Sequence, residues 1–553
     1  MKIRVWLLLV LLVSPLLSAQ VQYPPRMIPL SSPVYAQAEL LYRLNGLALP
    51  SGSKPWSTAE AAAILDAVPA HTAHQKLLDA TKALVETSRL KEKSQDFSYL
   101  LSTTVDLEAY THTNTTDFVN TYDWIYSYDD RRPLVQANME LLFSNHFYFA
   151  TGVEVGTASY SLKDKGKTTD FTTDIGALFT VADGISQLET AYRYQNAFIT
   201  NLILPSLDNM QADWPKEAQL SLGGPWWYLS VGRSRIRWGN GSTGNLVIGD
   251  HINGHTYLMG SVISDAAKLQ FMYLFMPDPS ESGDQRIFLG HRLETHPVSW
   301  ARFTVTENVM YKNDSLLLLY FNPTYIYHNL YDGSRLNSIA SIEFDVAVVP
   351  SVSLHAQFAL DQFQLANETG SEANATGMLL QSAYSWKQGD GYWTLLGEYV
   401  STDPSFYRRN NIDFMLARGL NNNWPPVIID YLGYQYGSDS KVYALKLSYQ
   451  SLKGLQLDLS ALVHRQGAVD RFGLHNPDGN QYNSTIKGPS PSGDDITERL
   501  IFGVKASYDT TLAGLTIYSQ ANWIGRRHYY PETATSDQYA QDLQLVVGMS
   551  LTF

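Results

Sequence analysis

Three features of the sequence predict an all-β transmembrane barrel of antiparallel strands. From Phe97 to the last residue, apolar side chains recur at every second position. The connections alternate between tight turns and long polar loops. The chain ends on Phe553, and a terminal aromatic residue resembles the assembly signal of bacterial outer-membrane barrels. A strand places successive side chains on opposite faces, so a period of two gives each strand one apolar and one polar side. Counting segments of about ten residues gives 18–20 strands.

Taken in order, residues 1–19 carry Lys2 and Arg4, the apolar run WLLLVLLV and a Ser18-Ala19 ending, the pattern of a secretory signal peptide. Residues 20–33 are extended and punctuated by proline. A helix is expected over 34–45, with Ala38, Leu41 and Leu44 at helical spacing and Gly46 as its stop. Ser57-x-x-Glu60 reads as a capping box opening a second helix that ends at Pro69. A third is expected over 73–93. Residues 20–95 thus form a small helical region that needs a larger body to lean on, and 96–553 form the barrel.

Alternating runs include Val135-Ala137-Met139-Leu141-Phe143, Val352-Leu354-Ala356-Phe358-Leu360 and Leu543-Leu545-Val547-Met549-Leu551-Phe553. Tight turns are expected at 144–145, 182–184, 350–351, 389–391, 453–454 and 513–514. Long loops are expected near 112–131, 158–171, 195–215, 238–256, 312–336, 403–438, 466–495 and 525–540. The segment 257–264 is the weakest strand of the series. A soluble sandwich or propeller also alternates, but strand length and the segregation of long loops to one side oppose it.

Composition limits function. A net charge of -13, from 40 Lys plus Arg against 53 Asp plus Glu, leaves no basic footprint for nucleic acid. There are no cysteines, so disulfides and thiolate metal sites are excluded. No cofactor motif, Gly-x-Ser-x-Gly elbow or HExxH sequence appears in its required context, and a non-enzyme is expected. Asp250, His251 and His255 in a glycine-rich loop are a weak metal signal, and no metal site is assigned.

The stretch 226–250, WWYLSVGRSRIRWGNGSTGNLVIGD, stands out against the acidic background. Alternation sets Arg233, Arg235 and Arg237 on one face as a basic ladder, followed by Trp238, Gly239, Gly241 and Gly244. With the apolar faces toward lipid, parity puts Glu140, Glu154, Glu189, Arg193, Arg292, Glu294, Glu343, Asp345, Asp361 and Glu398 inside, with Asn138, His355 and Asp458. Glu307 is ambiguous. The arginines either pair with luminal carboxylates and hold the barrel's shape or form a track for an anionic polymer. The long loops are rich in Tyr, Trp and Arg, among them Trp124, Tyr126, Tyr128, Trp214, Tyr325, Tyr327, Tyr331, Tyr407, Arg408, Arg409, Trp424 and Tyr431. Such residues stack on sugar rings, and they equally build an interfacial aromatic girdle.

RSRIRWGNGSTGNLVIGD resembles the arginine–WGxG–GxL segment of the Wzi-type capsule-assembly outer-membrane family. LGHRLETHPVSWARFTVTENVMY (289–311), FNPTYIYHN (321–329), FALDQFQ (358–364), EYVSTDPSFY (398–407) and RLNGLALPSGSKPWSTAEAAAIL (43–65) follow the same order. Asn240 departs from the motif, where proline is commonest. The resemblance implies an 18-stranded barrel with a periplasmic helical bundle at its lower mouth. It also implies lectin-like binding, and help in assembling or anchoring capsular or other surface polysaccharide at the outer membrane of a Gram-negative-type cell. Polysaccharide-export machinery and outer-membrane lipid are the partners to expect. On this view Arg233, Arg235, Arg237, Trp238, Gly239, Gly241 and Gly244 are candidate ligand-binding residues. A porin or solute channel is the alternative.

Overall fold

The computed structural model describes residues 25–86, 91–94, 97–155, 217–277, 285–313, 318–327, 336–362, 373–469 and 488–553, with short breaks inside several of these stretches. The 1–19 leader, the turn at 182–184, the loop at 158–171, nearly all of that at 195–215, Glu189 and Arg193 lie outside the described residues. So do Tyr128, Trp214, Tyr331 and Arg409.

Eighteen antiparallel strands close into a barrel. Closure is made by the last strand, Ala540–Thr552, which pairs with Phe97–His112 through Val546↔Tyr110 and its neighbours. A closed wall satisfies every backbone group without an edge, the condition for strands to cross a bilayer. Strand Phe147–Val155 is adjacent in the wall to Ala218–Gly223. The doubtful segment is a wall strand, His255–Ile263, paired on both sides.

The period-two pattern has its expected physical result. In Val352–Gln362, Leu354 and Phe358 are exposed outward, while His355 and Gln357 are buried inside. Short connections at 224–226, 264–266, 299–300, 350–351, 389–390, 452–454 and 510–514 fall at one end, and the described parts of the longer loops begin from the other, while the expected turn at 144–145 lies outside the described residues.

Three helices sit at the short-turn end: α1 (Val34–Leu44), α2 (Thr58–Asp66) and α3 (Gln75–Val85). Leu41, Trp56, Leu65 and Leu77 form their common core. α3 is shorter than the expected 73–93, because the apolar face of Leu77, Leu78 and Val85 has no successor in the polar run that follows. Lys91–Ser94 instead joins the barrel sheet beside the start of the first wall strand. The helices dock through Ala48 N–H to the Ser299 carbonyl at 2.9 Å and Ser351 N–H to the Arg43 carbonyl at 2.6 Å.

Candidate functional site

The barrel interior is built around the stretch that alternation marked as a ladder. Its wall strand is Trp227–Ser234, with Tyr228 and Ser230 buried inside and Leu229 and Val231 outside. At Ser234 the chain leaves the wall, and parity does not carry past that point. The single-faced ladder of three arginines is therefore not formed. Arg233 is the last residue but one of the wall strand, Arg235 follows the strand's end, and Arg237 lies on a separate two-residue strand, Arg237–Trp238. That strand pairs inside the lumen with Ser53–Lys54, which rises from the helical region.

The rest of the motif is packing. Trp238 is buried, donates Nε1–H to Gln270 Oε1 at 2.7 Å, and meets the Phe288 ring edge-on at 6.1 Å. Gly239 (φ 118°) and Gly244 (φ 140°) hold backbone conformations that disfavour any side chain. A Cβ at Gly239 would also collide with Gln357 and Asn245. Arg237 binds its own loop, donating to the Gly239 and Gly241 carbonyls and to Asp250 Oδ2 at 3.1 Å. Thus Trp238, Gly239, Gly241 and Gly244 shape the luminal loop and are enclosed by it.

Wall residues pin this loop. Glu398 accepts from the Ser242 and Thr243 N–H groups at 2.5 and 2.8 Å, and Gln357 accepts from Leu246 N–H at 2.9 Å. Asn240, at the position where the resemblance expects proline, donates to the Pro50 carbonyl and to Asp345 Oδ1. Side-chain amide bonds thus hold the loop to the inserted chain and to the wall.

The expected interior charges are largely inside, and most are occupied. Arg292 forks onto Glu343 at 2.6 and 2.9 Å and reaches Glu294 at 2.8 Å, while Arg302 takes the other Glu294 oxygen at 3.0 Å. Such bidentate contacts match guanidinium and carboxylate geometry. Asp345 bonds His355 at 2.7 Å, and Asp361 accepts from Tyr407 N–H at 2.7 Å. Asp458 faces Lys446 at 3.3 Å. Lys268, Gln270 and Arg302 complete the network and were absent from the sequence reading, although their inward parity on strands Ala267–Pro277 and Ala301–Asn313 could have supplied them. Arg26 and Glu60 carried no such signal.

Outside the membrane-spanning strands, charge pairing sets protonation. Burial pushes the Glu39 carboxyl up, but Lys54, Arg43 and Arg237 outweigh it and hold Glu39 down at about 2. Asp250 is likewise held low, burial being overcome chiefly by Arg237. Burial raises Glu60 in spite of Lys268.

Among the described residues, the packing leaves a cavity of 720 Å³ between the 26–31 segment and the wall strands near Glu140, Glu154 and Thr552. Arg233 and Arg235 line this cavity with Arg26, Arg132, Asp106 and Glu217. Arg26 crosses its floor to Glu140 at 2.7 Å, and the Tyr148 hydroxyl donates to the same carboxylate at 2.7 Å.

The loop aromatics take a third course. Trp124, Tyr126, Tyr327, Tyr407 and Tyr431 are buried by loops that fold onto the barrel. The 403–439 connection folds in over the luminal loop, with the Tyr407 hydroxyl donating to the Leu246 carbonyl at 2.6 Å. Arg408 is buried and donates to the Tyr431 hydroxyl. His255 opens a wall strand and is buried, and Asp250 is taken by Arg237.

No family model matches the chain, and no curated protein does. Among solved structures, it is similar to Wzi, described as an outer-membrane protein involved in group 1 capsule assembly in Escherichia coli and a carbohydrate-binding β-barrel. The TM-score is 0.52 at 14% identity, covering 97% of this chain and 100% of that one. Acinetobacter baumannii OccAB4 aligns at a TM-score of 0.37 and 10% identity, over 84% of this chain and 99% of its own. Pseudomonas aeruginosa OprD aligns at 0.37 and 9%, over 82% and 95%. By fold the chain is an outer-membrane β-barrel.

Proposed function

We propose that this barrel binds a surface polysaccharide, lectin-like, and helps assemble or anchor it at the cell surface without chemical turnover. The observation that carries this reading is the filled lumen. The inserted chain near Ser53, the luminal loop and the 403–439 connection occupy the interior, and a polar cavity remains along one wall. Guanidinium, carboxylate and hydroxyl groups line it, and these bond sugar hydroxyls and uronate carboxylates. Arg233 and Arg235 are the ligand contacts on this reading, and the glycine-rich loop behind them is their support. The helical region then lies at the periplasmic mouth. The fold it shares with a carbohydrate-binding barrel supports the same reading.

A deletion strain tests it: cells lacking the protein should lose cell-associated polysaccharide to the medium. An unchanged surface layer would refute it. The mixed charge of the cavity favours a second reading, a solute channel. Planar-bilayer recording separates the two, because a polymer-holding barrel with a filled lumen passes little current.

A further inference from the structure

Part of the connection after strand Ala301–Asn313 packs back on the barrel. Its described part, residues 318–327, lies against the outer face of the barrel. Parity establishes which face this is. On Ala301–Asn313, Arg302, Thr304, Thr306 and Asn308 are buried inside, so Phe303, Val305, Glu307, Val309 and Tyr311 point outward. Phe303 and Val305 are register partners of Phe344 and Ile342, both exposed on the apolar band. Glu307 therefore faces outward, opposite His291 on the neighbouring strand, with His291 Nδ1 at 3.9 Å from its carboxylate.

Above that pair, Tyr273, Leu289, Val309 and Tyr311 also point outward, yet all are buried. The connection covers them. Tyr327 stacks on His291 at 4.4 Å and donates to the Tyr273 hydroxyl at 3.4 Å. The Tyr273 hydroxyl in turn donates to the Phe321 carbonyl at 3.0 Å, and Tyr320 packs on Tyr311 at 4.5 Å. The far side of the connection presents Ile326, 60% exposed, with Leu319 at 49% and Tyr325 at 40%.

Height makes this arrangement informative. A strand tilted by about 40° climbs roughly 2.6 Å per residue, so an apolar band of about 25 Å ends some ten residues above the short turns. Arg465 stands ten positions above Leu455, and there the outward face has become ionic, with Arg465 on Glu498 at 2.7 Å and Arg527 beside it at 2.6 Å. Tyr311 stands ten positions above Ala301, and there the surface is still apolar and continues onto the connection.

We infer that residues 318–327 are a membrane contact, in which Leu319, Tyr325 and Ile326 meet the acyl chains of the leaflet nearer the long loops. The connection extends the apolar band upward in this sector and shields the outward His291–Glu307 pair from hydrocarbon, where uncovered ionisable side chains are costly. Tyr327, a candidate sugar contact by composition, is a packing residue of this flap.

The chain has no cysteine, so single-cysteine variants report one position each. Leu319→Cys and Ile326→Cys are to be spin-labelled in the full-length protein reconstituted in liposomes. Phe358→Cys on the outer face serves as the lipid reference and Thr533→Cys on an exposed loop as the water reference. Accessibility is read with oxygen and with a water-soluble nickel chelate. Labels at 319 and 326 should follow the Phe358→Cys pattern, high to oxygen and low to nickel. Nickel accessibility equal to that of Thr533→Cys would overturn the inference, and so would protection from both reagents, which marks a protein contact instead.

Discussion

Lys268 Nζ lies 2.6 Å from Glu60 Oε1, both side chains almost wholly enclosed, and this contact joins a wall strand to the first turn of α2. Glu60 holds a capping-box position, but only half the box forms. Ser57 Oγ accepts Glu60 N–H at 3.1 Å, while the Glu60 carboxylate turns away to the barrel. Removing one member of a buried pair strands the other and costs about 3–5 kcal/mol, whereas replacing both by apolar residues is often neutral. Lys268→Met and Glu60→Leu should each loosen the helical region from the barrel, seen as faster proteolysis within residues 34–85. The double variant should recover most of that protection.

Glu39 links Lys54 and Arg43 at 2.7 and 3.1 Å. Its folded-state value of about 2 lies below the ordinary 4.5, so its stabilisation is complete above about pH 4.5 and is lost as pH falls toward 2. The shift corresponds to roughly 3 kcal/mol. Protection factors for hydrogen exchange in α1, which correct for the pH dependence of the intrinsic rate, should fall between pH 5 and pH 3 in the native protein. Glu39→Gln should show faster exchange at pH 7 and a flatter response to acid.

Trp238 fills the space between Phe288, Gln270 and Arg292. Truncating a buried tryptophan leaves a cavity and costs about 3–5 kcal/mol. Trp238→Ala should lower the urea midpoint of unfolding in detergent, with the barrel still assembling, because its hydrogen-bonded wall does not include residue 238. Gly239→Ala should be comparably harmful through its φ of 118° and the collision with Gln357.

Arg26 ties the 26–31 segment to the wall through Glu140. Glu140→Gln should weaken that tie and widen the cavity floor, raising the single-channel conductance above the native level. An unchanged conductance would show that the segment is held elsewhere.

The barrel was legible because period-two alternation is a local signal that lipid and lumen impose on every strand. Phe358 and His355 could be assigned to opposite faces from sequence alone, and Glu294, Glu343 and Glu398 to the interior. The ladder failed where alternation was extended past Ser234, since no local signal marks the point at which a strand leaves its sheet. Arg237–Trp238 pairs with Ser53–Lys54 from a region nearly two hundred residues earlier, a contact that sequence spacing does not encode. The aromatic loops failed for a related reason. Tyr327 and Tyr407 have the composition of exposed binding loops, yet their loops fold back on the barrel, and burial is decided by that folding. Asn240 was legible only as a departure from a motif, and its bonds to Pro50 and Asp345 show how the position is filled without proline.

The most direct test of the proposed role is calorimetric titration of the detergent-purified protein with polysaccharide extracted from the cells that make it, beside an Arg233→Ala/Arg235→Ala variant. The native protein should bind saturably, and the variant, still folded by heat-modifiability, should lose at least tenfold in affinity. Absence of any binding by the native protein, or identical binding by the two, would contradict the assignment of the cavity as the polysaccharide site.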